Sequence, residues 1–395
     1  MKHLYIHIPF CHRRCSYCDF NSYANVDDRI DAYVTALCAE LAMLATSVIP
    51  TPPVSTEAAA LRPTIFFGGG TPTMLTLDQI ERILVAASQI VPLADAEISC
   101  EANPGTLLAP DYLRGLCQLG VNRLSLGVQS LHNPTLRILG RIHNAEEAQQ
   151  SYLQARAAGF ESINLDFIFG LPGQTLEDWE QTLAAITVWQ PDHLALYSLI
   201  LEEQTPLYAQ VTAGRVRLPD DDRSATMYEM ALEHLAANGY LQYEISNFAR
   251  TSAAGPLPSH ACQHNLAYWL NSDYLAAGAG AYGHITTPHD RHRYANRLTI
   301  DGYLAALAAA QRPVAEIIPL TPADLCAETM MMGLRLNMGV GAAHFAARCG
   351  MALATVYGGE IANLVALGLL EQDAERVWLT PRGRMIGNQV FQHFL

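Results

Sequence analysis

Short apolar runs alternate with helix-length amphipathic segments along the first half of the chain. The runs are LYIHI (4–8), TIFF (64–67), AEISC (96–100), NRLSLGV (122–128), SINLDFIF (162–169) and HLALYSL (193–199). Each is followed by a segment of helical spacing, so each reads as a strand. DRIDAYVTALCAELAML sets Ile30, Tyr33, Val34, Leu37, Leu41 and Leu44 on one helical face. LDQIERILVAASQIV predicts another helix, with Thr76 as its N-cap. Strand–helix repetition means parallel strands joined by right-handed crossovers. Six such units predict an α/β fold, a partial or open (β/α)6 barrel; a doubly wound sheet carries the same periodicity.

Beyond these units the pattern changes. TSVIPTPPVSTEAAALRP (46–63) and TSAAGPLPSHA (251–261), rich in small residues and proline, predict exposed connections. Asp220–Asp222 complement the start of a helix. AETMMMGLRL (327–336) predicts a helix, with Met330–Met332 as core packing. AAHFAARCG and the last residues then predict further helices, a hairpin at LLEQDAERVWLT and a closing helix, an order like that of a winged helix. The resulting division is 1–215 for the barrel, 216–310 for a connecting region and 311–395 for a mainly helical C-terminal domain.

Composition narrows the class. With 395 residues, half of them hydrophobic, the chain is long enough for a large core and more than one domain. No apolar run approaches the roughly 20 residues that cross a bilayer. Nine cysteines, an odd number and scattered outside a cluster at 11–18, argue for reduced thiols and a cytoplasmic location rather than a disulfide framework. A formal charge of −14 disfavours a nucleic-acid partner.

Chemistry is expected where the strands end. The first strand runs into Cys11, Cys15 and Cys18, the second into GGGTPT (68–73), the third into EANP (101–104) and the fourth into Gln129 and Ser130. The fifth contains Asp166 and leads to GLPGQT (170–175). Three thiols at C-x3-C-x2-C can wrap one metal centre. Zinc ordinarily takes four ligands. A [4Fe-4S] cluster on three thiolates keeps one iron open for a substrate or cofactor. The glycine run by itself is a tight turn, but lacking Cβ atoms it also lets a ligand approach the backbone. Glu101 and Asp166 read equally as solvated strand-end acids or as acceptors for ribose hydroxyls.

YIHIPFCHRRCSYCDF resembles the radical S-adenosylmethionine (SAM) signature, and FFGGGTPTML, RLSLGVQS and NLDFIFGLPGQT resemble motifs of the HemN/HemW group within that superfamily. The resemblance spans essentially the whole chain. It implies that Cys11, Cys15 and Cys18 hold a [4Fe-4S] cluster whose fourth iron is chelated by SAM. It further implies that Tyr5 and Tyr17 pack on SAM, that Gly69, Gly70 and Thr71 meet its methionine end, and that Glu101 holds the ribose. Gln129, Arg141 and Asp166 match the remaining positions, and in HemN this set serves two SAM molecules.

The group has two branches, an oxygen-independent coproporphyrinogen III oxidase (HemN) and a haem chaperone (HemW). The oxidase signature continues to a fourth cysteine, where this chain has Phe20, and carries a longer segment ahead of the cluster than the ten residues here. His264, Asn265, Tyr268 and Trp269 form the pattern H-N-x-x-Y-W, which resembles a HemW hallmark and implies haem binding; Cys262 is a second candidate haem ligand. By spacing alone, His264 and Trp269 are ordinary packing residues. The resemblance thus favours a haem chaperone with haem-requiring acceptors, membrane respiratory proteins and transient membrane association among its expectations. The alternative is a coproporphyrinogen III dehydrogenase or another SAM-dependent porphyrin-modifying enzyme.

Overall fold

The computed structural model describes residues 2–47, 55–105, 109–252, 255–286 and 291–395. Six parallel strands cross one sheet in chain order: β1 (His3–Ile8), β2 (Thr64–Gly69), β3 (Glu97–Ala102), β4 (Arg123–Gln129), β5 (Ser162–Phe169) and β6 (His193–Ser198). Their apolar faces are buried because crossover helices cover the sheet, as parallel pairing requires. Helix α1 (Ile30–Ser47) buries all six residues of its predicted stripe. Helix α2 (Leu77–Ala87) starts at a capping box in which Thr76 and Gln79 satisfy each other's backbone N–H groups.

Three further strands extend this sheet. β7 (Tyr240–Gln242) and β8 (Asn247–Arg250) continue it antiparallel beyond β6, and β9 (Leu275–Ala277) pairs parallel with β1. The order is therefore β9-β1-β2-β3-β4-β5-β6-β8-β7. Strands of three or four residues carry too little periodicity to be read from sequence.

One hydrophobic core runs from Leu4 to Leu307, and a second from Cys326 to Phe394. Much of 216–310 packs into the first core, while Tyr243, Ala249, Ala261, Leu266, Ala267 and Leu270 form a smaller cluster with Leu61 and Leu336. Glu40 of α1 binds 216–310 from inside: it accepts from Gly278 N at 2.8 Å, Asn296 Nδ2 at 2.6 Å and Tyr303 Oη at 2.6 Å. Asp220 caps the helix Asp221–Ala237, its carboxylate accepting from Arg223 N.

The C-terminal body has the predicted order. Helices Pro322–Gly333, Ala342–Cys349 and Leu353–Ala366 precede a hairpin of Leu370–Gln372 with Arg376–Leu379, followed by Pro381–Met385 and Gly387–Phe391. Of the methionine run, Met330 is fully buried and Met331 packs partly on the same core, while Met332 is half-buried. The segment 46–63 is not wholly a loop. Residues 48–54 lie outside the described residues, but Thr56–Ala60 is a helix capped by Ser55, with Ala58 and Leu61 buried. The segment 251–261 holds no helix or strand among its described residues; 253–254 lie outside them. No helix among the described residues is long and apolar enough to cross a membrane.

Candidate functional site

The cysteine loop leaves the end of β1 and lies back over the end of β2. Backbone bonds fix it there: Gly70 N donates to Ile8 O at 2.8 Å and Thr71 N to Phe10 O at 2.7 Å. This contact is what demands glycine. A Cβ on Gly70 would stand 2.5 Å from the Phe10 carbonyl oxygen, and Gly69 has φ +115° with the His7 ring in the same position relative to its missing side chain. The glycine run therefore serves to seat the thiol loop on the sheet.

Cys11, Cys15 and Cys18 line one cavity of about 120 Å³. The same cavity is lined by Tyr17, Gly69, Gly70, Glu101, Gln129, Arg141 and Asp166. Thr71 lies outside that lining but reaches the Cys11 sulfur at 3.6 Å, and Asn103 Nδ2 donates to its hydroxyl at 2.7 Å. Arg141 donates from Nη1 to the Cys15 sulfur at 3.2 Å and from Nη2 to the Gly127 carbonyl and Asn103 Oδ1. Gln129 takes φ 69° beside an irregularity in the β4–β5 pairing, a left-handed conformation held by its surroundings at the rim. Tyr5 alone of the expected SAM contacts is separated: it faces an inner chamber and bonds His7 Nδ1 at 3.0 Å.

Two carboxylates stand at the junction of this cavity with the others. Glu101 accepts from Gly69 N at 3.0 Å; Asp166 accepts from Asn164 Nδ2 at 2.7 Å and Ser125 Oγ at 3.2 Å. Burial pushes Glu101 up to about 8, with the Asp166 charge acting in the same direction. Burial raises Asp166 too, against the pull of its Asn164 and Ser125 hydrogen bonds. A ligand donating hydroxyls or an ammonium group to these carboxylates would relieve that cost.

Among the described residues no three Cys, His, Asp or Glu side chains converge on a point that would hold one metal ion. Three thiols on the wall of one cavity suit a polynuclear cluster, in which each thiolate binds a different iron. Burial raises the Cys11 and Cys18 thiols, and a bound metal would favour their thiolate form. The buried Nε of Arg141 also has no partner among the described residues. The donor set fits a [4Fe-4S] cluster.

The inner chamber, about 230 Å³, lies within the sheet's curve and is lined by Tyr5, Arg123, Asn164, His193, His264, Asn265 and Tyr268 together with Glu101 and Asp166. Residues Gln263–Trp269 form a helix, α3, that packs against β2. His264 is 1% exposed, and both its ring nitrogens are engaged: Nδ1 with Thr64 Oγ1 at 2.7 Å, Nε2 with Tyr268 Oη at 2.9 Å. Its ring stacks on Phe66 and meets Tyr268 edge-on. Trp269 points elsewhere, its ring beneath the Arg335 guanidinium at 4.6 Å. The buried Cys262 thiol bonds Glu97, and burial pushes its pKa up to about 12. The H-N-x-x-Y-W pattern is thus divided between two faces.

Sequence reasoning missed Arg123, 2% exposed with Nε and Nη2 unpartnered among the described residues. Its only signal was an arginine inside the apolar run NRLSLGV. Asn103 was legible as a polar strand end, but its bond to Thr71 was not. A third and larger cavity, about 970 Å³, opens between the rim and the C-terminal body and brings in Arg335 and Arg384, which no motif had marked.

Residues 5–186 match the Radical SAM superfamily and residues 320–386 the HemN C-terminal domain. The chain is 36% identical to the protein named heme chaperone HemW of Bacillus subtilis, covering 100% of this chain and 99% of that one. It is 37% identical to the heme chaperone HemW of Lactococcus lactis, covering 99% and 96%. Among solved structures it is similar to coproporphyrinogen III oxidase (HemN) from Escherichia coli, described as a radical SAM enzyme, with TM-score 0.80, 25% identity and coverage of 99% and 89%. The fold agrees with that likeness throughout the parallel sheet and the C-terminal body. The chain belongs to the HemW family within the radical SAM superfamily.

Proposed function

We propose that this protein is a haem chaperone, binding haem and passing it to haem-requiring acceptor proteins, with a [4Fe-4S] cluster and exchangeable SAM beside the haem site. The observation that carries the reading is full-length similarity to proteins named heme chaperones, in a chain with Phe20 where the oxidase signature has its fourth cysteine. Phe20 is 62% exposed at the mouth of the large cleft, an apolar side chain suited to contact a flat ligand.

In this reading Cys11, Cys15 and Cys18 hold the cluster, and Arg141 orients and polarises the Cys15 sulfur. Asn103 and Thr71 brace the Cys11 side. Glu101 and Asp166 accept hydrogen bonds from SAM, and Tyr17 covers the cofactor. When bound, the cluster supplies one electron at a time and an open iron for SAM. The C-terminal body closes the cleft over the rim.

The second reading, coproporphyrinogen III oxidation, is favoured by the likeness to HemN over 99% of this chain. Anaerobically reconstituted protein should show a saturable Soret band on haem titration and should transfer that haem to an apo-haemoprotein. Conversion of coproporphyrinogen III to protoporphyrinogen IX with SAM, without saturable haem binding, would overturn the chaperone reading in favour of the second.

A further inference from the structure

A haem chaperone needs a cavity of haem size, and the chamber behind His264 does not offer one. Its volume of about 230 Å³ falls below the roughly 300–1,000 Å³ of small-molecule pockets. Ligation by His264 would also break its bond to Thr64 or Tyr268 in a fully buried setting.

The cleft of about 970 Å³ has the size and the chemistry. Ile200, Ile245 and Met385 give its lining an apolar stretch, and Phe20 lines both this cleft and the thiol cavity. Ile200 is 71% exposed, so this stretch carries large apolar side chains left uncovered. Charge in the lining is segregated along the chain. Its carboxylates, Asp19, Glu101, Asp166 and Glu202, all come from the barrel, whereas its two cations, Arg335 and Arg384, come from the C-terminal body.

Both arginines are under-compensated. Arg384 forms no ion pair among the described residues; it donates from Nη1 to the Gln242 amide oxygen at 3.0 Å, and burial lowers its pKa. Arg335 meets Glu244 only at 3.8 Å, and its Nε is unpartnered among the described residues. The indole of Trp269 supports its guanidinium from below. A planar guanidinium matches a carboxylate in a two-point hydrogen-bonded fork.

We propose that haem occupies this cleft, its macrocycle against the apolar stretch and its two propionates paired with Arg335 and Arg384. Trp269 is then a positioning residue that orients Arg335, and His264 is part of the barrel wall. The inference rests on the haem-binding reading above and goes beyond it by naming the site and the recognised groups.

The test is equilibrium titration of anaerobically reconstituted protein with haem and with haem dimethyl ester, which lacks free propionates. Wild-type protein should bind the ester at least about tenfold more weakly than haem, the loss expected for one charge-assisted pair. Arg384→Gln and Arg335→Gln should each weaken haem binding by a similar factor while leaving ester binding nearly unchanged. Trp269→Leu should weaken haem and spare the ester, a split that general destabilisation would not produce. His264→Ala should keep haem affinity within about twofold, with an unshifted Soret maximum.

Arg335→Gln removes the cation nearest buried Glu244, but the ester comparison uses wild-type protein and does not depend on that variant folding. Equal affinity for haem and ester, or a loss confined to His264→Ala, overturns the placement alone. No saturable haem binding by the wild-type protein overturns the chaperone reading along with it.

Discussion

Arg141 donates a hydrogen bond from Nη1 to the sulfur of Cys15 at 3.2 Å, across 126 residues of chain. A cationic donor on a cluster thiolate favours the reduced, more negative cluster. Arg141→Gln should therefore retain the cluster while shifting its midpoint potential negative, by up to about 65–130 mV. The scale follows from a charge-assisted bond of about 1.5–3 kcal/mol set against about 59 mV per tenfold for one electron. Potentiometry of the reconstituted protein measures it; an unchanged or more positive potential would remove Arg141 from this role.

Cluster ligation should separate the three cavity thiols from the other six cysteines. Reconstituted wild-type protein should carry about four irons per chain, and replacing Cys11, Cys15 and Cys18 together with alanine should abolish them. Alanine at Cys100, Cys117 or Cys326 should leave iron and sulfide content unchanged, since none of these lines the cavity. Full iron content in the triple variant would mean that the ligands lie elsewhere.

SAM binding should depend on the two junction carboxylates. Glu101→Gln and Asp166→Asn should each weaken SAM roughly ten- to a hundredfold, the loss of a charged hydrogen bond, with iron content intact. Calorimetric titration of the reconstituted variants reads this directly, and wild-type affinity in both would exclude them from the site.

Glu40 makes a pH prediction away from the cluster. Burial pushes its carboxyl up to about 7, partly offset by its bonds to Tyr303, Gly278 and Asn296. Between about 4.5 and 7 the folded state then holds a proton that the unfolded chain has released. Stability contributed by this group consequently falls as pH rises through that window. The decline in Tm from pH 5 to 7 should be shallower in Glu40→Gln than in the wild type. Parallel Tm–pH curves would show that Glu40 does not titrate there.

His264→Ala tests the barrel wall. It leaves Thr64 and Tyr268 without the imidazole that joins them, so Tm should fall, by an amount corresponding to about 1–3 kcal/mol for the lost buried bonds. A variant as stable as the wild type would show that these two bonds add nothing to stability.

Much of this molecule follows from local sequence. The six parallel strands, the buried stripe of α1, the Thr76 cap and the thiol loop after β1 each depend on neighbouring residues, and periodicity and capping chemistry act over a few positions. The same holds for Asp220, whose carboxylate reaches only three residues ahead. What periodicity leaves undecided rests on partners far apart in the chain. The strand Leu275–Ala277 exists because β1 offers it an unpaired edge, and much of 216–310 joins the first core, where Glu40 binds it. The pattern H-N-x-x-Y-W reads as one motif, yet a seven-residue helix packed on β2 turns His264 into the chamber and Trp269 toward Arg335. Successive helical residues point about 100° apart, so adjacency in sequence sets no common face. Only the packing of α3 between the sheet and the C-terminal body decides which side chain meets which cavity.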